Sequence, residues 1–414
     1  MANRQSPIAT SLTLLSTLLI SIPAAASAAT LTTIHAFGGS PGDGANPKAG
    51  LFVSQSGVLF GTTLYGGNGS CSGGCGTVFS LAPPASAGGA WTEDVFNFSP
   101  STGFGPYGGV VGKGGVLYGT TLGNPGTVFG LTPPTTLGGA WSWMRLDSGV
   151  PEMDEPWDTP AIGAGGVLYV TTSVGGPTFD SFGDVVSLTP PTTPGGSWTT
   201  TVLCSLNTPE TGVVIGSGGV LYGTYSNGVY EVTPPASAGG SWTSTTLYGF
   251  TGPPGDGLDT SSGVVIGANG VLYGTTIVGG TGSCTYGSSK SGCGTVYSLT
   301  PPATSGGAWT ERVLYSFKGG NDGFEPNVVV AGPGGVLYGT TLEGGASDAG
   351  TVFSLHPPAA AGDAWTETVL YTFTGGDDGA GPYGGVVLGP GGALYGTTFA
   401  AGSSGKGTVF QLTP

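Results

Sequence analysis

Seven residues stand at one equivalent place in a repeating pattern, and their types suit contact with a ligand: Lys48, Tyr107, Trp157, Glu210, Ser261, Asn327 and Tyr383. Three aromatics and an acid around one opening would serve sugar rings, which stack on aromatic faces while a carboxylate accepts from hydroxyls. The same residues would serve equally to plug that opening. The stretch leading through Trp157 departs most from the pattern. It reads Asp147-Ser148-Gly149-Val150-Pro151-Glu152-Met153-Asp154-Glu155-Pro156-Trp157-Asp158, five carboxylates in twelve residues. Crowded carboxylates push one another's pKa apart, so that an acid and a base or nucleophile can coexist. Glu155, Asp158 and Glu210 therefore form a conceivable catalytic set for glycan cleavage, with Asp180 and Asp184 able to join them or to hold a cation. A solvated acidic loop is the alternative.

Other chemistries lack their residues. The two histidines, His35 and His356, sit at ordinary repeat positions and complete neither a His-rich metal site nor a Ser-His-Asp triad. With 85 glycines, G-x-G-x-x-G matches arise by chance, and no strand-helix-strand pattern accompanies them. The Asp-Gly pairs at Asp43, Asp322 and Asp378 read as tight turns in which Asp bonds its own backbone and Gly takes positive φ. One Asp per loop is thin for calcium. No metal and no cofactor is expected.

Charge and cysteine usage bound the setting. Residues 1–28 read as a secretory signal peptide, with Arg4 before an apolar run and Ala26-Ser27-Ala28 as the cleavage site. Without Arg4, 7 basic residues face 23 acidic ones, a net charge of −16, which disfavours nucleic acid and anionic membrane surfaces. Cys71 and Cys75, and Cys284 and Cys293, precede the same Gly-Thr-Val motif in two repeats, and in an exported chain they are expected to form two local disulfides. Zinc is the weaker alternative, since the pairs lie in different repeats. Cys204, in a strand-like run, is expected to be a buried, inert thiol.

The elements that position these residues are repeats. Leu-Tyr-Gly-Thr-Thr stands at 117–121, 272–276, 337–341 and 394–398, with close copies at 59–63, 168–172 and 221–225; the steps between leucines are 58, 51, 53, 51, 65 and 57 residues. Such a period points to propeller blades. The last repeat supplies the template: strand a at Gly385-Val386-Val387-Leu388, a Gly-Pro-Gly-Gly turn, strand b at 393–398, and strand c at Gly407-Thr408-Val409-Phe410-Gln411-Leu412. Elsewhere strand c runs through Pro-Pro and Gly-Gly to a Trp that opens strand d. Four strands per unit make a blade. The chain stops after a strand c, and residues 30–37 read as an orphan strand d. The expectation is thus an all-β, seven-bladed β-propeller over residues 29–414, each blade of four antiparallel strands, closed by the N-terminal strand completing the last blade. Closure hides an edge that would otherwise invite aggregation. An open solenoid is the alternative.

These repeats resemble the GloVer tandem repeat of exported bacterial proteins, whose signature is L-Y-G-T-T, a Gly-rich gap, then G-T-V-F-x-L-x-P. The resemblance spans residues 30–414. Kelch repeats share the period, but their glycine, tyrosine and tryptophan spacing is not seen. The resemblance implies an exported or surface propeller and carries no agreed catalytic residue. Family members often end in a sorting or membrane anchor; none is expected here. The d-to-a and b-to-c loops vary in length and chemistry, whereas the a-to-b and c-to-d turns are stereotyped. Function usually lives on variable loops held by a rigid scaffold. Two functions of different class follow as expectations. One is a monomeric, secreted module binding extracellular polysaccharide or a surface protein on that face. The other is a secreted glycan-cleaving hydrolase or lyase using the acidic residues there.

Overall fold

The computed structural model describes residues 29–414 apart from 87, 124–125, 148–155, 174–182, 194, 207, 238, 261, 287–288, 305 and 361. The expected signal peptide, residues 1–28, lies outside the described residues. Seven antiparallel sheets carry a four-stranded a-b-c-d order, and no helix of the described residues is long and apolar enough to cross a membrane. In the seventh, Val386–Leu388, Leu394–Thr398 and Thr408–Thr413 are strands a, b and c, and Thr30–Ala36 supplies strand d.

The N-terminal strand fills its place in detail. Thr30 pairs with Thr413 and Ala36 with Thr408, with Ile34 left over as a bulge. Strands d of blades 3 to 6 carry the same bulge, at Leu203, Leu247, Leu314 and Leu370. The residue after it, whether His35, Cys204, Tyr248, Tyr315 or Tyr371, is therefore structurally equivalent from blade to blade.

The Leu-Tyr-Gly-Thr-Thr motif is explained residue by residue. Its Leu is fully buried or nearly so in all seven blades. Its Tyr packs edge-on against the Trp opening strand d of the next blade, with ring centroids 5.9–6.3 Å apart at Tyr118–Trp198, Tyr169–Trp242, Tyr222–Trp309, Tyr273–Trp365 and Tyr395–Trp91. At the seam between blades 6 and 7 the N-terminal strand has no Trp, and Ala29 joins the cluster containing Tyr338.

The motif's Gly makes room for the strand-c aromatic opposite it. Gly61 pairs with Phe79, Gly339 with Phe353 and Gly396 with Phe410, and a Cβ on any of them would lie 2.4–2.6 Å from the facing ring. Blade 3 solves the same volume problem differently, pairing Val170 with Val186. Small faces large in six blades and medium faces medium in the seventh, as constant packing density demands.

The first Thr ties each blade to the next. Thr62 Oγ1 donates to Gly108 O (2.9 Å), Thr120 to Asp158 O (3.0 Å), Thr171 to Thr211 O (2.9 Å), Thr224 to Thr260 O (3.0 Å), Thr275 to Asn327 O (3.2 Å), Thr340 to Pro382 O (2.8 Å) and Thr397 to Ala49 O (3.1 Å). The seventh bond returns to the first blade, so the ring is closed. The second Thr instead bonds the Thr that opens strand c, as in Thr63 with Thr77 (2.7 Å) and Thr398 with Thr408 (2.8 Å). Two disulfides, Cys71–Cys75 and Cys284–Cys293, fasten the long b-to-c loops of blades 1 and 5, while Cys204 is free. Cys204 is half-buried rather than buried, and desolvation with the nearby Asp184 charge raises its thiol to about 11, which keeps it unreactive.

Candidate functional site

The starts of the seven a strands meet at the inner rim of the ring, where neighbouring backbones touch. A Cβ on Gly108 would stand 2.4 Å from the Asp158 carbonyl carbon, and one on Gly50 would stand 2.8 Å from Gly384 O. The threonine bonds fix the carbonyls there. Side chains on either side of those carbonyls are consequently held in place by backbone that cannot shift.

Four of the expected ligand-binding residues form a continuous arc on this rim. Lys48 donates from Nζ to the Tyr107 hydroxyl, and the ammonium also lies 4.0 Å from the Tyr107 ring centre and 5.0 Å from that of Tyr383. Tyr107 meets Trp157 edge-to-face at 5.0 Å. On the other flank Tyr383 packs edge-on against Phe399 (5.3 Å). Burial holds the Lys48 pKa below its ordinary value, and raises that of Tyr107 with help from the Asp158 and Glu210 charges. A desolvated ammonium within about 5 Å of two ring centres is in cation–π range of both. Asn327 stands further round and donates from Nδ2 to Pro382 O (2.9 Å), bracing blade 7. Ser261 lies outside the described residues.

The acidic residues separate into different roles. Asp158 uses both carboxylate oxygens on backbone, accepting from Thr159 N (2.6 Å) and Gly212 N (2.8 Å) and so tying blade 3 to blade 4. Glu210 is exposed and accepts from Ser226 Oγ (2.7 Å). Asp147 is buried in an ion pair with Arg145 (2.9 Å), and Asp184 is buried and accepts from Ser205 Oγ (2.7 Å). Neither belongs to an exposed acidic site. Glu152, Asp154, Glu155 and Asp180 lie outside the described residues.

Sequence inspection missed two further exposed aromatics, both on loops. Tyr65, in the first b-to-c loop, is 44% exposed and close enough to Lys48 to act on it electrostatically; Phe104, in the following d-to-a loop, is 43% exposed. Nothing in the repeat marks either position. Two cavities of about 280 and 440 Å³ lie elsewhere, beside Tyr225 and Tyr230 and beside Tyr118 and Trp198, and include no residue of the arc.

The Asp-Gly loops are turns, as expected, and also something more. Asp378 accepts from Thr374 N (2.8 Å) and Asp322 from Lys318 N (2.7 Å), while Gly379 and Gly323 take φ of 96° and 84°. Each Asp additionally accepts from the strand-d residue after the bulge: Tyr371 to Asp378 (3.0 Å), Tyr315 to Asp322 (2.8 Å) and Tyr248 to Asp256 (3.3 Å). A Glu from strand d of the following blade joins two of these, Glu311 beside Asp256 and Glu367 beside Asp322. Both Glu Oε1 atoms are buried without a hydrogen-bond partner, and desolvation raises each carboxyl to about 7, with the neighbouring Asp charge adding to the rise.

A closed ring of seven blades, each built on a four-stranded sheet, defines a seven-bladed β-propeller. Solved propellers share the fold. Virginiamycin B lyase of Staphylococcus aureus is 15% identical at a TM-score of 0.51, the match covering 93% of this chain and 99% of that one. The extracellular domain of a hybrid two-component system of B. thetaiotaomicron is 10% identical at a TM-score of 0.50, covering 92% of this chain and 39% of that one. The family model of the Gloeobacter/Verrucomicrobia repeat matches residues 282–414 of this chain. No curated protein matches the chain.

Proposed function

We propose that this protein is an exported propeller that binds an extracellular glycan on the face bearing the d-to-a and b-to-c loops. The observation that carries this is the arc Tyr383–Lys48–Tyr107–Trp157, set on rigid backbone, with Tyr65 and Phe104 exposed on loops of the same face. Aromatic faces receive the apolar side of a pyranose ring, Lys48 donates to ring substituents, and Glu210 accepts from hydroxyls. Local disulfides on two loops of that face suit an oxidising compartment. Binding is favoured over cleavage because Asp158 spends both oxygens on backbone, leaving it to position blades 3 and 4.

The test is incubation of the mature chain with a panel of soluble and insoluble polysaccharides, measuring both retention and released reducing ends. Retention without release is expected. Release that disappears in Glu210→Gln would transfer the protein to the glycan-cleaving class. Failure to bind any glycan in the panel would overturn the proposal.

A further inference from the structure

One inter-blade clasp differs from its sisters. At the seam between blades 7 and 1, the residue after the bulge is His35 where blades 4, 5 and 6 place Tyr248, Tyr315 and Tyr371. His35 faces Asp43 of the d-to-a loop and Glu93 of the next strand d, the same partners by position as in the Tyr248 and Tyr315 clasps. The contacts are different in kind. The tyrosines donate O–H bonds to Asp, whereas His35 Nε2 lies 3.4 Å from Asp43 Oδ2 and 3.3 Å from Glu93 Oε1 and makes a hydrogen bond to neither. Glu93 Oε1 is likewise buried without a hydrogen-bond partner.

From this geometry we infer that His35, Asp43 and Glu93 form a binding site for a zinc-class divalent cation. The three residues offer one nitrogen and two carboxylate oxygens, all within 4.8 Å of one another. A tetrahedral ion with bonds of about 2.0–2.2 Å holds its donors roughly 3.3–3.6 Å apart. The two edges from His35 Nε2, at 3.3 and 3.4 Å, already have that length. Asp43 is oriented by Gly38 N on Oδ2 (2.5 Å) and Gly44 N on Oδ1 (2.6 Å), the kind of outer bonding that fixes a carboxylate ligand. The three side chains remain 20–23% exposed, so an ion can enter and water can take the fourth position. Imidazole is a good zinc donor without losing a strongly held proton, whereas a phenol binds zinc well only as phenolate. Burial raises the pKa of Tyr248, Tyr315 and Tyr371, so this clasp and not the tyrosine clasps offers the donor set.

The experiment uses the mature chain, stripped with a chelator and titrated with zinc chloride by calorimetry beside His35→Tyr and Glu93→Gln. His35→Tyr installs the residue three other blades carry, so the fold is retained, and an unchanged circular dichroism spectrum verifies that. One zinc per chain with a raised melting temperature is expected for the parent, with affinity weakened more than about 100-fold in both variants. Absence of stoichiometric zinc uptake by the parent overturns the inference. So does uptake of equal affinity by folded His35→Tyr, which would place the ion elsewhere.

Discussion

Glu367 and Glu311 make the sharpest claim about stability, because each is held protonated by its surroundings. Desolvation moves their carboxyls from 4.5 to about 7, with Asp322 beside Glu367 and Asp256 beside Glu311 opposing ionisation further. The folded protein therefore holds these protons to a higher pH than the unfolded chain does. The resulting stability is fully present below about pH 4.5 and is lost as pH rises through about 7. Such a rise corresponds to at most about 3 kcal/mol per group. Both side chains are only half-buried, and solvent screening reduces this to roughly 1–2 kcal/mol each. Glutamine has the same size and stays neutral, so Glu367→Gln and Glu311→Gln should match the parent near pH 4 and exceed it by roughly that amount at pH 8. Denaturant unfolding of parent and variants from pH 4 to 8 measures the difference, which cancels the titration of all other groups. A difference independent of pH, or one favouring the parent at pH 8, would refute this account of the clasps.

Three further outcomes follow from the packing. Removing residues 29–39 exposes strand c of blade 7 along its whole edge, so the truncated chain should melt well below the parent or aggregate, as read by scanning calorimetry and light scattering. Gly339→Val should cost about 1–3 kcal/mol by collision with Phe353, and Phe353→Val about 2–4 kcal/mol by leaving a void. The double variant recreates the Val170–Val186 pair of blade 3 and should recover at least about 1 kcal/mol of the summed cost in a double-mutant cycle. Non-reducing peptide mapping should return Cys71–Cys75 and Cys284–Cys293 with Cys204 free, and reduction should loosen two loops at a global cost of no more than about 2–3 kcal/mol.

Much of the fold was legible because a blade is a local object. Strands a to d follow one another within about fifty residues, and their alternation, turns and punctuation lie in plain sequence. The orphan strand at residues 30–37 could be assigned by counting, since strand c at the C-terminus lacked a partner. What could not be read were bonds between blades. That the two threonines of one motif divide their labour, one reaching the next blade and one staying home, depends on backbone curvature. Four of the aligned positions, Lys48, Tyr107, Trp157 and Tyr383, touch one another because equivalent residues of a ring stand side by side. Their chemistry was less legible: Asp158 has the composition of a catalytic acid but spends its oxygens on two amides. His35 looked ordinary for a similar reason. Its signal was available, a His where other repeats carry Tyr and a Glu two residues after Trp91, but only the ring brings Glu93 from the next blade to meet it.

The central claim is that the arc on the inner rim binds sugar, and one titration tests it most directly. The tightest oligosaccharide from the panel is titrated calorimetrically into the mature chain and into the Tyr107→Ala, Trp157→Ala double variant, with melting temperatures measured on both. Loss of two stacking faces should cost about 2–3 kcal/mol, roughly 30- to 150-fold in affinity, with the fold retained. An affinity unchanged by the double substitution in a folded protein would contradict the account and move the ligand away from the rim.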